Sequence, residues 1–315
     1  MNRIESFICT AICMFFFFSS CIKEDLTDCP LPLQVVFSYE DDGTGLNAIT
    51  QNDLKEATLF VFDENENLVT SWSVSNPILG SIYQPDIELV PKKYHFVVWF
   101  NLSYPYSYTP NLSGNPTEDE MAFHLDIPAI RRIDESETFS LPVSLYGYQE
   151  DVIKEARVNT VTIPLVQNSN VINLTVSGLT PTTDDYRFSI KDNNANYNFD
   201  NEIIACDDFD YTQVVSFSPA SNTLNASLTV MKLAADHRHP VIAIEQAGET
   251  LFPKRELDKN NLIDLILARY PDNDFNKRHV YNIEIVFTTD MSVSIIVDGW
   301  NVVTNGSDNV EIIPD

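Results

Sequence analysis

The dominant period along this chain is two. Leu33, Val35, Phe37 and Tyr39 project to one side of an extended segment, with Gln34 and Ser38 on the other. Segments 58–62 and 94–100 are apolar on both faces, as central strands covered from both sides are. The run Asp-Glu-Asn-Glu-Asn between Phe62 and Leu68 is a polar turn, and segment 160–166 closes this series, with Pro164 pointing to an edge or a bulge. Alternation then resumes. Ile172, Leu174 and Val176 interleave with Asn173, Thr175 and Ser177, and Ala226, Leu228 and Val230 with Ser227 and Thr229. Tyr281, Ile283, Ile285 and Phe287 form another face, followed by Val293, Ile295 and Val297 after a turn at 289–291. Short strands separated by turn clusters predict an all-β chain of antiparallel β-sandwiches, one over 33–167 and a second over 168–315. Helix is sparse. Thr117 with Glu120 forms a capping box for a short helix, and a second helix is expected from Asp258, as cap, to Tyr270, with Pro271 as its stop.

The amino-terminal residues follow a different rule. Arg3 precedes an almost wholly apolar run from Phe7 to Phe18, then Ser19 and Ser20, then Cys21 and polar sequence. That is the layout of a lipoprotein signal, with residues 1–20 removed and Cys21 carrying fatty acyl chains, although Phe18 departs from the usual Leu. The apolar run falls short of the roughly 20 residues a spanning helix needs. At about 0.8 kcal/mol per buried methylene, two or three acyl chains make an anchor that hardly dissociates. Residues 21–32, with Pro30 and Pro32, read as a tether, its first eleven residues reaching about 35 Å when extended.

Charge narrows the partners. A net charge of −27 repels nucleic acid and anionic lipid alike. With the leader removed and Cys21 acylated, Cys29 and Cys206 remain. A bridge between them is permitted outside the cytosol, but the sequence does not bring them to bonding distance, and two free or buried thiols is the other reading.

The search for reaction chemistry returns little. His95, His124, His237, His239 and His279 are the histidines; His237 and His239 suggest two arms of a metal site, but no further ligand pair completes it, and a loop turning at Pro240 explains them. Asp192-Asn193-Asn194-Ala195-Asn196 echoes the start of a calcium loop, yet Tyr197 stands where glycine is needed and Ile203 where the bidentate Glu belongs. Asp207-Asp208-Phe209-Asp210 could hold a divalent cation, but an acidic exposed loop explains it as well. Trp72, Trp99 and Trp300 could make a sugar-stacking platform, though Trp99 reads as core. No nucleophile elbow, phosphate loop or zinc-protease motif is present, so the sequence asks for neither catalytic residues, metal nor cofactor.

One set of residues carries a likeness. Cys21, then Glu24-Asp25-Leu26-Thr27-Asp28-Cys29-Pro30, a strand from about Leu33 and the strand 59–62 resemble the FimB-like fimbrial anchor family of the Bacteroidota. The helix near 258–269, Tyr281-Asn282-Ile283-Glu284-Ile285 and Ile295-Ile296-Val297-Asp298-Gly299-Trp300 agree, and Lys23-Glu24-Asp25 is similar to the acidic tag of surface-displayed lipoproteins there. The resemblance implies two transthyretin-like sandwiches in tandem. It also implies an outer-membrane lipoprotein that attaches fimbrial shaft subunits to the cell surface and ends their polymerisation.

Fimbriae of this kind are expected to grow by strand exchange, in which rod subunits lose their first strand by cleavage after an arginine and a neighbour's strand fills the groove. No arginine occurs here between Arg3 and Arg131, so the first strand and its lipid should stay. Val310-Glu311-Ile312-Ile313 could supply a strand to a partner or pair within its own domain. Two rival readings are a surface glycan-binding lipoprotein of a polysaccharide-uptake system and a polymerising stalk or tip fimbrillin.

Overall fold

The computed structural model describes residues 31–40, 49–110, 114–126, 141–155, 158–217, 222–255, 258–289 and 292–303. The leader, Cys21, Cys29 and the tail from 304 onward lie outside these. The strands, in chain order, begin with β1 (Leu31–Tyr39), β2 (Glu56–Asp63), β3 (Leu68–Ser75), β4 (Ile82–Tyr83) and β5 (Glu88–Leu89). Then come β6 (Lys93–Phe100), β7 (Tyr106–Thr109), β8 (Ala122–Leu125), β9 (Leu145–Val152) and β10 (Asn159–Gln167). Eight of these make one sheet in the order β3-β2-β6-β9-β10-β1-β4, with β5 also on β1.

That sheet curls over on itself. Phe37 of β1 meets Phe100 of β6 edge-on at 5.3 Å, and Trp72 near one rim lies 5.9 Å from Tyr83 at the other. The enclosed face holds Leu33, Val35, Phe37, Leu59, Val61 and Phe96, all buried. The opposite face of β2 and β6 is also apolar, and Phe60, Phe62, Val97 and Trp99 are fully buried there. The doubly apolar segments expected from the sequence are therefore inner strands, covered from both sides.

The later strands are β11 (Ser169–Ser177), β12 (Tyr186–Asp192), β13 (Asn196–Asn198), β14 (Ile203–Ile204), β15 (Phe209–Val215) and β16 (Thr223–Met231). They continue as β17 (Val241–Gln246), β18 (Glu249–Phe252), β19 (Val280–Phe287), β20 (Val293–Val297) and β21 (Trp300–Val303). A sheet β16-β11-β19-β20-β21 faces a sheet β15-β12-β17-β18. Their inner sides bury Ile172, Leu174, Ile283 and Ile285 against Phe188, Ile190, Tyr211 and Ile242. The outer side of the first is polar: Ser227 donates to Asn173 (2.9 Å), Asn173 to Asn282 (3.0 Å) and Asn282 to Asp298 (2.7 Å). Gly178 ends β11 at φ 81°, where an added Cβ would sit 2.0 Å from the Phe287 carbonyl oxygen, so that turn requires glycine.

The all-β expectation holds, with two additions. Most pairs are antiparallel, but β1 runs parallel to β10 and β11 parallel to β19. Strand β10 is also interior rather than an edge; Pro164 lies just beyond its pairing with β9, which covers only 165–167. Pro32 stands within β1, opposite Glu88, at a strand beginning where proline is tolerated. The first helix is a single 3₁₀ turn, Glu118–Glu120, in which the Thr117 N–H donates to Glu120 at 3.0 Å.

The second helix, α1 (Leu262–Arg269), starts later than expected and is capped by Asn261, whose side chain accepts from Ile263 and Asp264. Asp258 is not its cap. That carboxylate instead gathers the Lys254 and Arg255 N–H groups at 2.9 Å and Arg255 Nε at 2.8 Å, folding the loop before the helix. Burial pushes the Asp258 carboxyl up, but the hydrogen bonds from Arg255 and Lys254 outweigh this and hold it below the usual 3.8.

Two outcomes follow. Phe37→Ala should lower the unfolding free energy by about 3–5 kcal/mol, read from urea denaturation, because its ring fills space between two layers. The folded value of Asp258 lies below its unfolded one, so its contribution is complete above the ordinary value and fades as pH falls through the depressed one. The stability gap between the parent and Asp258→Asn, measured by urea at pH 7 and near pH 3, should narrow in acid.

Candidate functional site

The first strand, β1, is the candidate site. Its inner edge pairs with β10 in parallel register from Leu33↔Asn159 to Tyr39↔Leu165. Its outer edge is covered by the segment that follows β3. Leu31 and Pro32 pair with Leu89 and Glu88, Val35 and Val36 with Tyr83 and Ile82, and the Gly80 N–H donates to the Phe37 carbonyl at 2.8 Å. Side chains add cross-links: Thr160 donates to Gln34 at 3.1 Å. With both edges occupied and Leu33, Val35 and Phe37 buried, each such side chain contributing roughly 1.5–3 kcal/mol, no groove is open at this strand.

Other edges are treated differently. At β16 the Gln213 side chain accepts the Ser227 N–H at 2.7 Å and the Tyr211 hydroxyl that of Met231 at 3.2 Å, which blunts the strand toward pairing. Strand β21 ends its sheet. It pairs inside its own sheet, on β20, with Trp300 opposite Val297, Asn301 opposite Ile296 and Val303 opposite Ile295. Beside it, Asn260, Leu265, Ala268, Val302 and Val303 line a hollow of about 390 Å³. Val310 to Ile313 lie outside the described residues.

The two halves are joined by more than their linker. Strands β7 and β8 form a small sheet with β13 and β14, in the order β14-β13-β8-β7, so strands from both sides of residue 168 share one ladder. This sheet caps the outer aromatic face of the first half: Trp99 stacks on Phe123 at 4.3 Å with an interplanar angle of 8°, and Phe199 lies 5.1 Å from Phe60. Beneath it Asn168 and Asn201 are buried and exchange side-chain amides, the Asn201 donation measuring 3.0 Å. The Tyr146 hydroxyl donates to the Phe199 carbonyl at 2.9 Å.

The residues examined for chemistry are dispersed into structural duties. Asp192, which opened the calcium-like segment, is a buried ion partner of Arg238 at 3.0 Å; burial pushes its carboxyl up and the guanidinium opposes this. Asn194 accepts from Tyr211 at 2.7 Å, and Asn196 lies 2.9 Å from His124. In His237-Arg238-His239 it is the arginine that matters, held by Asp192 and Asp236, while both histidines are exposed. No sequence signal marks this pair, because an Arg in an acidic chain has many possible partners. His95 meets Glu118 at 3.0 Å, and His279 is buried near the Asn276 carbonyl. Among the described residues no cluster of three or more His, Cys, Asp or Glu is placed to hold a metal.

Asp207 and Asp208 are exposed. Cys206 is a half-buried thiol 3.2 Å from the Asn193 carbonyl, its pKa raised by burial. The tryptophans do not form a platform: Trp72 packs toward Tyr83, Trp99 is core and Trp300 lies over Arg269. The hollow of about 520 Å³ on the outer side of β12, β15 and β17 is lined by Arg187, Ser189, Lys191, Asp210, Thr212 and their neighbours, none aromatic.

Residues 26–306 match the family described as "Fimbrillin-A associated anchor proteins Mfa1 and Mfa2". The chain belongs to this family. It is a family of fimbrial anchor proteins rather than of enzymes, which gives the chain a role in fimbrial anchoring in association with fimbrial subunits, at the cell surface. Solved structures share the fold. The fimbrial anchor protein Mfa2 from Porphyromonas gingivalis aligns with TM-score 0.70 at 15% identity, covering 88% of this chain and 100% of that one. A putative adhesin from Bacteroides thetaiotaomicron gives 0.68 at 18%, covering 88% and 99%. A structure titled as putative polysaccharide binding proteins, from the same species, gives 0.67 at 19%, covering 89% and 100%. Among curated proteins none matches.

For this anchor-family chain, Asn168→Ala should cost about 1–3 kcal/mol, because it strands the buried Asn201 amide. Asn201→Ala should cost a similar amount, and the double variant less than their sum, as chemical denaturation of all three will show.

Proposed function

We propose that the chain is an outer-membrane lipoprotein that holds a fimbrium at the cell surface and ends its growth. In this reading residues 1–20 are a cleaved leader, Cys21 is acylated, residues 21–32 are the tether, and sandwiches over 33–167 and 168–315 form the body. The observation that carries it is the fully occupied first strand: β1 is paired along both edges, and no arginine lies between Arg3 and Arg131 for an arginine-specific cut to release it. A subunit that keeps this strand offers no acceptor groove there, so growth stops on that side while the lipid holds the base. The same occupied groove argues against a polymerising stalk or tip subunit. The non-aromatic lining of the outer hollow argues against sugar stacking there.

The test is genetic. Deleting the gene should shed fimbriae into the medium and lengthen them, and Cys21→Ala should shed them with the protein found in the soluble fraction. Fimbriae that stay attached and of normal length in both strains would overturn the proposal.

A further inference from the structure

The parallel pairs impose a direction of loading. We infer that this chain is a shear-loaded mechanical link, built so that tension entering at Leu31 and leaving past Val303 stretches its strand pairs along their length. The direction of the load rests on the anchoring proposal; the resistance to it does not.

In the first half, β1 and β10 run side by side in the same sense. The end of β1 nearest the tether therefore lies beside Asn159, whereas the chain leaves β10 at Gln167, the far end of the ladder. Pulling the two apart drags β1 backward and β10 forward. The ladder hydrogen bonds from 33 to 39 are strained together, and Phe37 must slide out from Phe100 and Tyr83 before any of them is free. An antiparallel first strand would bring both loads to one end and open bond by bond.

The second half repeats the arrangement. Load enters β11 at Ser169, where Val171 stands level with Val280 of the parallel β19. It leaves at Val303, which lies opposite Ile295; Ile295 faces Ile285, and Ile285 faces Val176. Entry and exit are again at opposite ends of the ladder. Asn168, the one residue between β10 and β11, is fixed by its exchange with Asn201 and by its N–H on the Ser144 carbonyl at 2.7 Å. The shared ladder of β8 and β13 carries load across the junction in parallel with it.

Single-molecule pulling tests this on the chain without residues 1–20, with Cys21→Ser, Cys29→Ser and Cys206→Ser, held by a tag after Asp315. One variant is pulled from Pro32→Cys and the other from Glu40→Cys, both exposed positions at opposite ends of β1. The first loads the β1–β10 ladder in shear, and the second opens it from its Tyr39 end. Seven paired positions strained at once should resist about twofold more force, or higher, than the same bonds broken in turn. Equal forces, or a weaker Pro32→Cys variant, would overturn the inference. Equal forces together with shed fimbriae in the Cys21→Ala strain would remove the mechanical link and leave anchoring intact. Strong shear resistance with fimbriae still attached would do the reverse.

Discussion

The parallel docking of β1 on β10 is the contact on which the rest of the architecture depends. It closes the first sheet around Leu33, Val35 and Phe37, and it occupies the edge of β10 that would otherwise stand open. A strand buried this way is held by apolar area and by a complete ladder together, each making the other harder to break. The covering segment through Gly80, Ile82 and Tyr83 then leaves the outer edge with little backbone to offer.

A second dependency runs across the middle of the molecule. The aromatic face of β2 and β6 is covered within the first half chiefly by β7 and β8, and Phe199 reaches it from the second. The apolar cluster is accordingly continuous from Phe60 to Val302. Several polar groups at the seam are paired: the Asn168–Asn201 exchange, the Tyr146 hydroxyl and the Arg238–Asp192 contact each serve groups that burial would make costly, while Trp99 Nε1 and the Tyr197 hydroxyl are buried without a hydrogen-bond partner among the described residues.

Much of this was legible in the sequence, and the gaps have physical reasons. Alternation at 33–39, 172–176 and 281–287 located strands and their inward faces, because a period of two survives any arrangement of the sheet. Parallel pairing was not legible: alternation is the same for either neighbour direction. The helix cap was misassigned because Asp258 and Asn261 are both good caps, and the choice fell to the Asp258 contacts with Lys254 and Arg255. The β13–β14 hairpin was hidden because Asn-rich, short strands carry weak signals and Tyr197 and Phe199 resemble ordinary loop aromatics until Trp99 and Phe60 meet them. The candidate site was legible in outline from the missing arginine, while the strip that covers it was not.

The loan of Phe199 to the other half has a consequence for how the polypeptide matures. A chain synthesised from its amino end exposes Phe60, Phe62 and Trp99 until the hairpin more than a hundred residues after Phe60 and Phe62 arrives, so the leading half cannot finish alone. Until then that sticky intermediate must be shielded or short-lived, and a fragment stopped at Gln167 would be prone to aggregate. Maturation is thereby tied to delivery of the later hairpin, and a truncated copy is disqualified before it can occupy a place on the cell surface.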